Sequence, residues 1–296
     1  MKKNIGVIGL GAMGMGMACS LRKKGNVVHV FDIKTDLAKS FAVDGGKAFS
    51  SIQELVQNVD VVLSVVVNSA QTEAILFGED GCAQHMQPGD LFVMCSTVDP
   101  KYSISLEDRL AKLGILYLDA PISGGSAKAA KAQITMMTAG KPAAYEAVGT
   151  IFDDMASKVY RLGESAGAGS KVKVINQLLA GVHIAAAAEA LALGLREGVD
   201  PHALYEVITH SAGNSWMFEN RMAHVLAGDY KPLSSVDIFV KDLGLVLDMA
   251  RTSKFPLPLS STAHQMFMQA STSGFANEDD SAVIKIFPGI SLPTKS

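Results

Sequence analysis

The chain has 296 residues, 48% hydrophobic and 19% charged, enough for two domains with sizeable cores. A formal net charge of -3 gives no electrostatic reason to expect nucleic acid or an anionic membrane as a partner. The three cysteines, Cys19, Cys82 and Cys95, lack C-x-x-C spacing, so neither a disulfide framework nor zinc is expected and a cytoplasmic location is the simplest.

Lys2 and Lys3 precede a strand, and Gly6 and the glycines after it interrupt any apolar leader segment, so no signal peptide is expected. Ile5 to Ile8 reads as that strand. Gly9, Gly11 and Gly14 follow in G-x-G-x-x-G spacing, with Leu10, Ala12 and Met13 between them. A helix-compatible run from Ala12 to Lys24 leads through Gly25 to a second strand, Val28 to Phe31, which ends at Asp32. Together these form a strand-turn-helix-strand unit for a dinucleotide. Gly9 permits the turn, Gly11 leaves the backbone bare to a pyrophosphate, and Gly14 lets helix and strand lie close. The helix N-terminus offers unpaired N–H groups to the phosphates. Asp32 can accept both ribose hydroxyls and would repel a 2′-phosphate, so NAD is expected rather than NADP.

Val59 to Val67 reads as a buried parallel strand, Leu91 to Cys95 as another, and Ile115 to Asp119 as a third. Ile134 to Ala139 and Lys158 to Arg161 are expected to complete the same sheet. Strands alternating with helices imply a doubly wound α/β sheet, with the ligand at the carboxyl ends of the strands. The character changes near Gly163. A long helical pattern runs from about Gly169 to Arg196, and further helices are expected over about 201–210, 216–227, 236–253, 259–272 and 279–287. The expected organisation is a Rossmann domain over residues 1–164 and an all-helical substrate and oligomerisation domain over 165–296. The apolar stretch Ala180 to Leu195 contains His183 and Glu189 and reads as too short and too polar for a membrane span. Its small residues suit a core or interface helix, with His183 and Glu189 as satisfied core polars or as marks of a domain or subunit contact.

Lys173, Asn176, Gln177, Ala180, Ile184 and Ala187 share one helical face, polar only at its N-terminal end. A lysine at the edge of an apolar face is costly unless paired or used, and desolvation suits it to proton transfer. A snorkelling surface lysine is the competing reading. Ser123, Gly124 and Gly125 follow a strand end and offer a hydroxyl and bare N–H groups to a carboxylate, though a plain turn fits them as well. Glu278 to Ser281 reads as acids at a helix start rather than a metal site, and no metal is expected.

The opening glycine turn, Asp119-Ala-Pro-Ile-Ser-Gly-Gly125, Gly167-Ala-Gly-Ser-Lys-Val-Lys-Val-Ile-Asn176 and Phe239-Val-Lys-Asp-Leu243 resemble, in order, the β-hydroxyacid dehydrogenase family. Its members include 3-hydroxyisobutyrate dehydrogenase and tartronate semialdehyde reductase. The resemblance implies a Rossmann domain followed by a helical domain, and NAD-dependent oxidation of a small hydroxy acid. It implies that Lys173 relays the hydroxyl proton and that Asn176 holds the substrate or the lysine. It assigns Ser123, Gly124 and Gly125 to the substrate carboxylate, and Thr97 and Lys241 to the cofactor near its nicotinamide end. Asp242 is left open between a site role and a local cap.

This chain departs from many relatives at two places beside the expected site. It has Val67-Asn68 where Leu-Pro is common, and Gln177 where Asn is common. Segments around Gln177, Asn214–Arg221, Val236 and Glu278 point within the family to a four-carbon sugar acid. Its hydroxyls would need partners such as Asn68, Gln177, Asn214 and Ser215, with Trp216, Phe218 and Arg221 walling the pocket. A packed helix start with a surface arginine explains the last three equally well. The alternatives are the same chemistry on another substrate, as in 3-hydroxyisobutyrate dehydrogenase or tartronate semialdehyde reductase, and a non-catalytic NAD-sensing relative, disfavoured by the presence of Lys173. Homodimers or homotetramers are expected.

Overall fold

The computed structural model describes residues 3–294. The chain divides into two compact units, one ending at Lys173 and the other beginning at Val174.

In the first unit, β1 (Asn4–Ile8), β2 (Val27–Phe31), β3 (Lys47–Ala48), β4 (Val61–Ser64), β5 (Leu91–Met94) and β6 (Leu116–Asp119) form one sheet. Its order is β3-β2-β1-β4-β5-β6, and every pairing is parallel. Strand order reverses between β1 and β4, the switch point at which such sheets bind dinucleotides. Side chains alternate between two apolar layers. Val7, Val61, Leu63, Leu91 and Val93 enter one, and Ile8, Val62, Phe92 and Met94 enter the other. Burial on both faces explains why these strands read as unbroken apolar runs.

The sequence expectation for the last strands needs correction. β8 (Ile134–Thr138) and β9 (Ala156–Arg161) do not complete the parallel sheet. They join β7 (Ile122–Ser123) in a separate sheet of order β7-β8-β9, with β7 and β8 antiparallel. The two sheets meet at one antiparallel bridge, Asp119 to Ala139. The short β3 has only two residues, too few to leave a periodic signal in the sequence.

The second unit is helical. It contains most of the lysine helix (Ala168–Arg196), then Pro201–Thr209, Trp216–Leu226, Val236–Ser253 and Pro258–Ala270, and a last 3₁₀ turn, Asp280–Ile286. Gly198 turns the chain at φ +75, and Asp200 caps the next helix by accepting the Ala203 amide at 2.8 Å. Ile184, Ala188, Leu191, Met222, Phe239, Leu243, Phe267 and Val283 are buried together in its core. The Phe239 and Phe267 rings stack at 5.2 Å.

By length and composition the lysine helix as a whole, Ala168–Arg196, is apolar enough to cross a membrane. The buried contacts of Ile184, Ala185, Ala188 and Leu191 give its apolar character a use inside the protein. Glu189 is exposed rather than a core polar, and His183 is half-buried.

Candidate active site

The glycine turn after β1 has the sterics its spacing requires. Gly9 sits at φ +91, and a Cβ there would lie 2.7 Å from the Val65 carbonyl oxygen. A Cβ on Gly14 would lie 1.8 Å from the Gly9 carbonyl oxygen, so the helix Gly14–Lys23 approaches the turn backbone directly. A Cβ on Gly11 would meet nothing within 4 Å, which leaves open space where a pyrophosphate would lie.

Asp32, at the end of β2, is fixed by both oxygens. Oδ2 accepts the Leu10 amide at 2.6 Å and Oδ1 accepts the Lys34 amide at 2.7 Å. The carboxylate is thus tied to the glycine turn and retains lone pairs for ribose hydroxyls. These features fit an NAD molecule.

Beyond β4, Asn68 caps the helix Ser69–Phe77 by accepting the Gln71 amide at 2.9 Å, and the Val67 amide donates to Gln71 Oε1 at 2.8 Å. The Asn68 carbonyl oxygen that could bind a sugar hydroxyl is therefore used in the loop. After β5, the Ser96 hydroxyl donates to the Val66 carbonyl at 2.7 Å and ties the Val67 and Thr97 loops together.

Ser123 closes β7, and Gly124 and Gly125 follow at φ +133 and +75. The helix after them, Gly125–Ala130, packs against the dinucleotide helix. The Ser20 hydroxyl donates to Ala129 at 2.8 Å, and a Cβ on Gly16 would lie 2.8 Å from the Ala130 nitrogen. The Ser-Gly-Gly loop is thereby held to the element that would carry the phosphates.

Lys173 is 7% exposed, on the second turn of the lysine helix. It is not the snorkelling surface lysine of the competing reading, whereas Lys171 is exposed. The start of this helix is met by Asp119, whose carboxylate accepts the Gly167 and Ser170 amides and the Ser170 hydroxyl. Burial pushes Asp119 above the ordinary carboxylate range, against the pull of those three donors.

In the second unit, Asn176, Gln177, Asp242 and Lys241 form one chain. Asn176 Nδ2 donates to Gln177 Oε1 at 3.1 Å, Gln177 Nε2 to Asp242 Oδ2 at 2.6 Å, and Lys241 Nζ to Asp242 Oδ1 at 2.6 Å. Asp242 is 2% exposed, so the residue left open by its sequence is a buried acceptor joining two helices. Gln177 is engaged through both ends of its amide, which makes it a link between Asn176 and Asp242.

Several other sequence candidates are engaged in local structure. Ser215 caps the helix Trp216–Leu226 through the Phe218 amide at 3.0 Å, and Asn214 Nδ2 donates to Thr209 and Glu219. Trp216 opens that helix half exposed. Arg221 is neither a surface nor a pocket residue. It is buried, with Nε 2.5 Å and Nη2 3.1 Å from the fully buried Asp280 carboxylate. Asp279 caps the 3₁₀ turn, so the Glu278–Ser281 run is a helix start. Among the described residues no group of three or more histidine, cysteine or acidic side chains could hold a metal.

A doubly wound sheet with a G-x-G-x-x-G turn and an acid on the second strand defines a dinucleotide-dependent oxidoreductase. The first unit matches the model described as the NAD binding domain of 6-phosphogluconate dehydrogenase over residues 4–163. Residues 167–287 match the model described as NAD-binding of NADP-dependent 3-hydroxyisobutyrate dehydrogenase. The chain belongs to the β-hydroxyacid dehydrogenase family, that of 3-hydroxyisobutyrate dehydrogenase, and is an NAD-dependent hydroxyacid dehydrogenase.

It is 64% identical to an L-threonate dehydrogenase of Cupriavidus necator over 100% of both chains. It is 48% identical to the L-threonate dehydrogenase of Escherichia coli K12, covering 98% of this chain and 96% of that one. Among solved structures, a 3-hydroxyisobutyrate dehydrogenase from Salmonella typhimurium superposes with a TM-score of 0.92 at 49% identity, covering 96% of this chain and 99% of that one.

Proposed function

We propose that the protein oxidises L-threonate to 2-oxo-tetronate (2-dehydro-L-erythronate) with NAD. The observation that carries the chemistry is a buried Lys173, one helical turn before Asn176. The substrate reading is supported by relatives of 48–64% identity named L-threonate dehydrogenase.

In this reading residues 1–164 bind the cofactor and 165–296 serve substrate binding and oligomerisation. Leu10, Ala12 and Met13 with the three glycines hold the phosphates, Asp32 holds the ribose, and Val67, Asn68, Thr97 and Lys241 flank the nicotinamide end. A bound NAD would supply the hydride acceptor for the carbinol carbon. Ser123 and the Gly124 and Gly125 backbone seat the substrate carboxylate. Lys173 takes the hydroxyl proton as the carbonyl forms and returns it in the reverse direction. Asn176 orients the hydroxyl or the lysine amine, itself held through Gln177. Trp216 borders the sugar-acid tail.

The assay is NADH formation across a panel of hydroxy acids, with NAD and NADP side by side. L-threonate should give the highest kcat/KM. A higher value for 3-hydroxyisobutyrate, the acid named for the Salmonella structure, would replace the proposed substrate. Lys173→Met should lower kcat by about 10²–10⁴-fold, the usual contribution of a positioned acid–base group. Near-normal turnover of a folded, NAD-binding variant would sink the role.

A homodimer or homotetramer is part of the proposal. Val172, Ile175, Leu179 and Leu193 leave an exposed apolar stripe on the lysine helix that a second copy would cover. Three free cysteines agree with a cytoplasmic location.

A further inference from the structure

We propose that Asp119 is a positioning residue for the dehydrogenase reaction, its carboxylate fixing the lysine helix to the strand end from which the Ser123 loop departs. The inference rests on the proposed roles of Lys173 and Ser123.

Asp119 is the last residue of β6 and is fully buried. Its backbone is held on both sides. Its amide donates to the Ala139 carbonyl at 3.0 Å, the Ala139 amide donates back at 2.8 Å, and the next amide, of Ala120, donates to Met94 at 2.9 Å. The residue therefore cannot shift without disturbing both sheets. Four residues later the chain reaches Ser123.

The side chain points the other way in sequence. Oδ2 accepts the amides of Gly167 and Ser170, each at 2.9 Å, and Oδ1 accepts the Ser170 hydroxyl at 2.6 Å. These donors are the first turn of the helix that carries Lys173 one turn further on. Other helices of the protein are capped by the residue just before them, as with Ser51, Asn68, Asp200 and Ser215. Here the acceptor lies 48 to 51 residues upstream. A local cap would satisfy the same amides without fixing where the helix sits. A remote cap satisfies them only in one place.

The glycines of the Gly167-Ala-Gly-Ser run follow from the same docking. Gly167 turns at φ +100. A Cβ on Gly169 would lie 2.4 Å from the Met137 carbonyl oxygen and 2.9 Å from that of Asp119. The helix start is thus pressed against the ends of β6 and β8, closer than any side chain permits.

Asn is the conservative replacement. Its amide oxygen can accept both backbone N–H groups, and its amide nitrogen can donate to the Ser170 hydroxyl. Steady-state kinetics of Asp119→Ala, Asp119→Asn, Ser170→Ala and Lys173→Met test the proposal. Asp119→Ala should lose about 100-fold in kcat, the cost of roughly 1 Å of misplacement, with KM for NAD little changed because the glycine turn is untouched. Asp119→Asn should restore most of that loss. Should Asp119→Ala fail to fold, Ser170→Ala removes one bond only and should still lower kcat selectively.

Wild-type kcat in a folded Asp119→Ala or in Ser170→Ala overturns the proposal, as does a parallel rise in KM for NAD. Normal turnover of Lys173→Met would instead remove the catalytic reading beneath it. An inactive Lys173→Met beside a normal Asp119→Ala removes the positioning role alone.

Discussion

Removing the Asp32 carboxylate should weaken NAD binding and make the enzyme less discriminating between NAD and NADP. In the folded chain this group does two things. It accepts the Leu10 and Lys34 amides at 2.6 and 2.7 Å, and in the proposed function its remaining lone pairs take the adenosine ribose hydroxyls. A hydrogen bond to a charged group contributes about 1.5–3 kcal/mol, so two ribose hydroxyls amount to about 3–6 kcal/mol before water takes any part of the role. The lower end, at 1.4 kcal/mol per factor of ten, is roughly 100-fold. Asp32→Ala should therefore raise KM for NAD by about two orders of magnitude. It should also narrow the preference over NADP, because the repulsion of a 2′-phosphate goes with the charge. Asp32→Asn should fall between, since its amide nitrogen would face one of the two backbone N–H groups. Initial rates against both cofactors, with a melting curve for each variant, measure this. An unchanged KM for NAD in Asp32→Ala, or NADP preference in the wild type, would refute the reasoning.

Gly14→Ala places a methyl against the Gly9 carbonyl, so calorimetric titration should show NAD binding lost along with about 1–3 kcal/mol of stability; normal binding would contradict the close approach. Arg221→Met strands a buried Asp280 and should cost about 3–5 kcal/mol in urea unfolding, much of it recovered by adding Asp280→Leu; a change under about 1 kcal/mol would mean the pair is not buried as described. His224 Nδ1 lies 3.4 Å from Asp279 Oδ1. Burial alone would raise Asp279, yet His224, the Ser281 hydroxyl and the Leu233 amide outweigh it and hold it down at about 2. His224 is raised, chiefly by Asp279 and against burial. The Asp279 contribution is present above about pH 4 and lost as pH falls towards its folded value. That of His224 is full below about pH 6.5 and lost as pH rises through its raised value. The stability difference between wild type and His224→Gln should therefore peak between these limits, and a flat difference across pH would rule the pairing out.

The dinucleotide unit was legible in the residues because its requirements are local. A turn too tight for side chains, a helix start and an acid closing the next strand all fall within one short segment, and backbone sterics dictate each. Helix limits were legible for the same reason, through caps such as Asp200 and Ser215 and through apolar periodicity.

Tertiary structure decided what depends on distant residues. The periodicity of Ile134–Thr138 marks a strand, but hydrogen-bond partners decide its sheet, and β7 and β9 claimed it. Asp119 looks like an ordinary strand end until Gly167 and Ser170 arrive on its carboxylate. Arg221 reads as a surface residue until Asp280, 59 residues on, buries with it. Gln177 shares a helical face with Lys173 in the sequence, but only the fold brings Asp242, 65 residues on, to its amide. A buried polar group must find a partner, and only the folded chain determines which one is within reach.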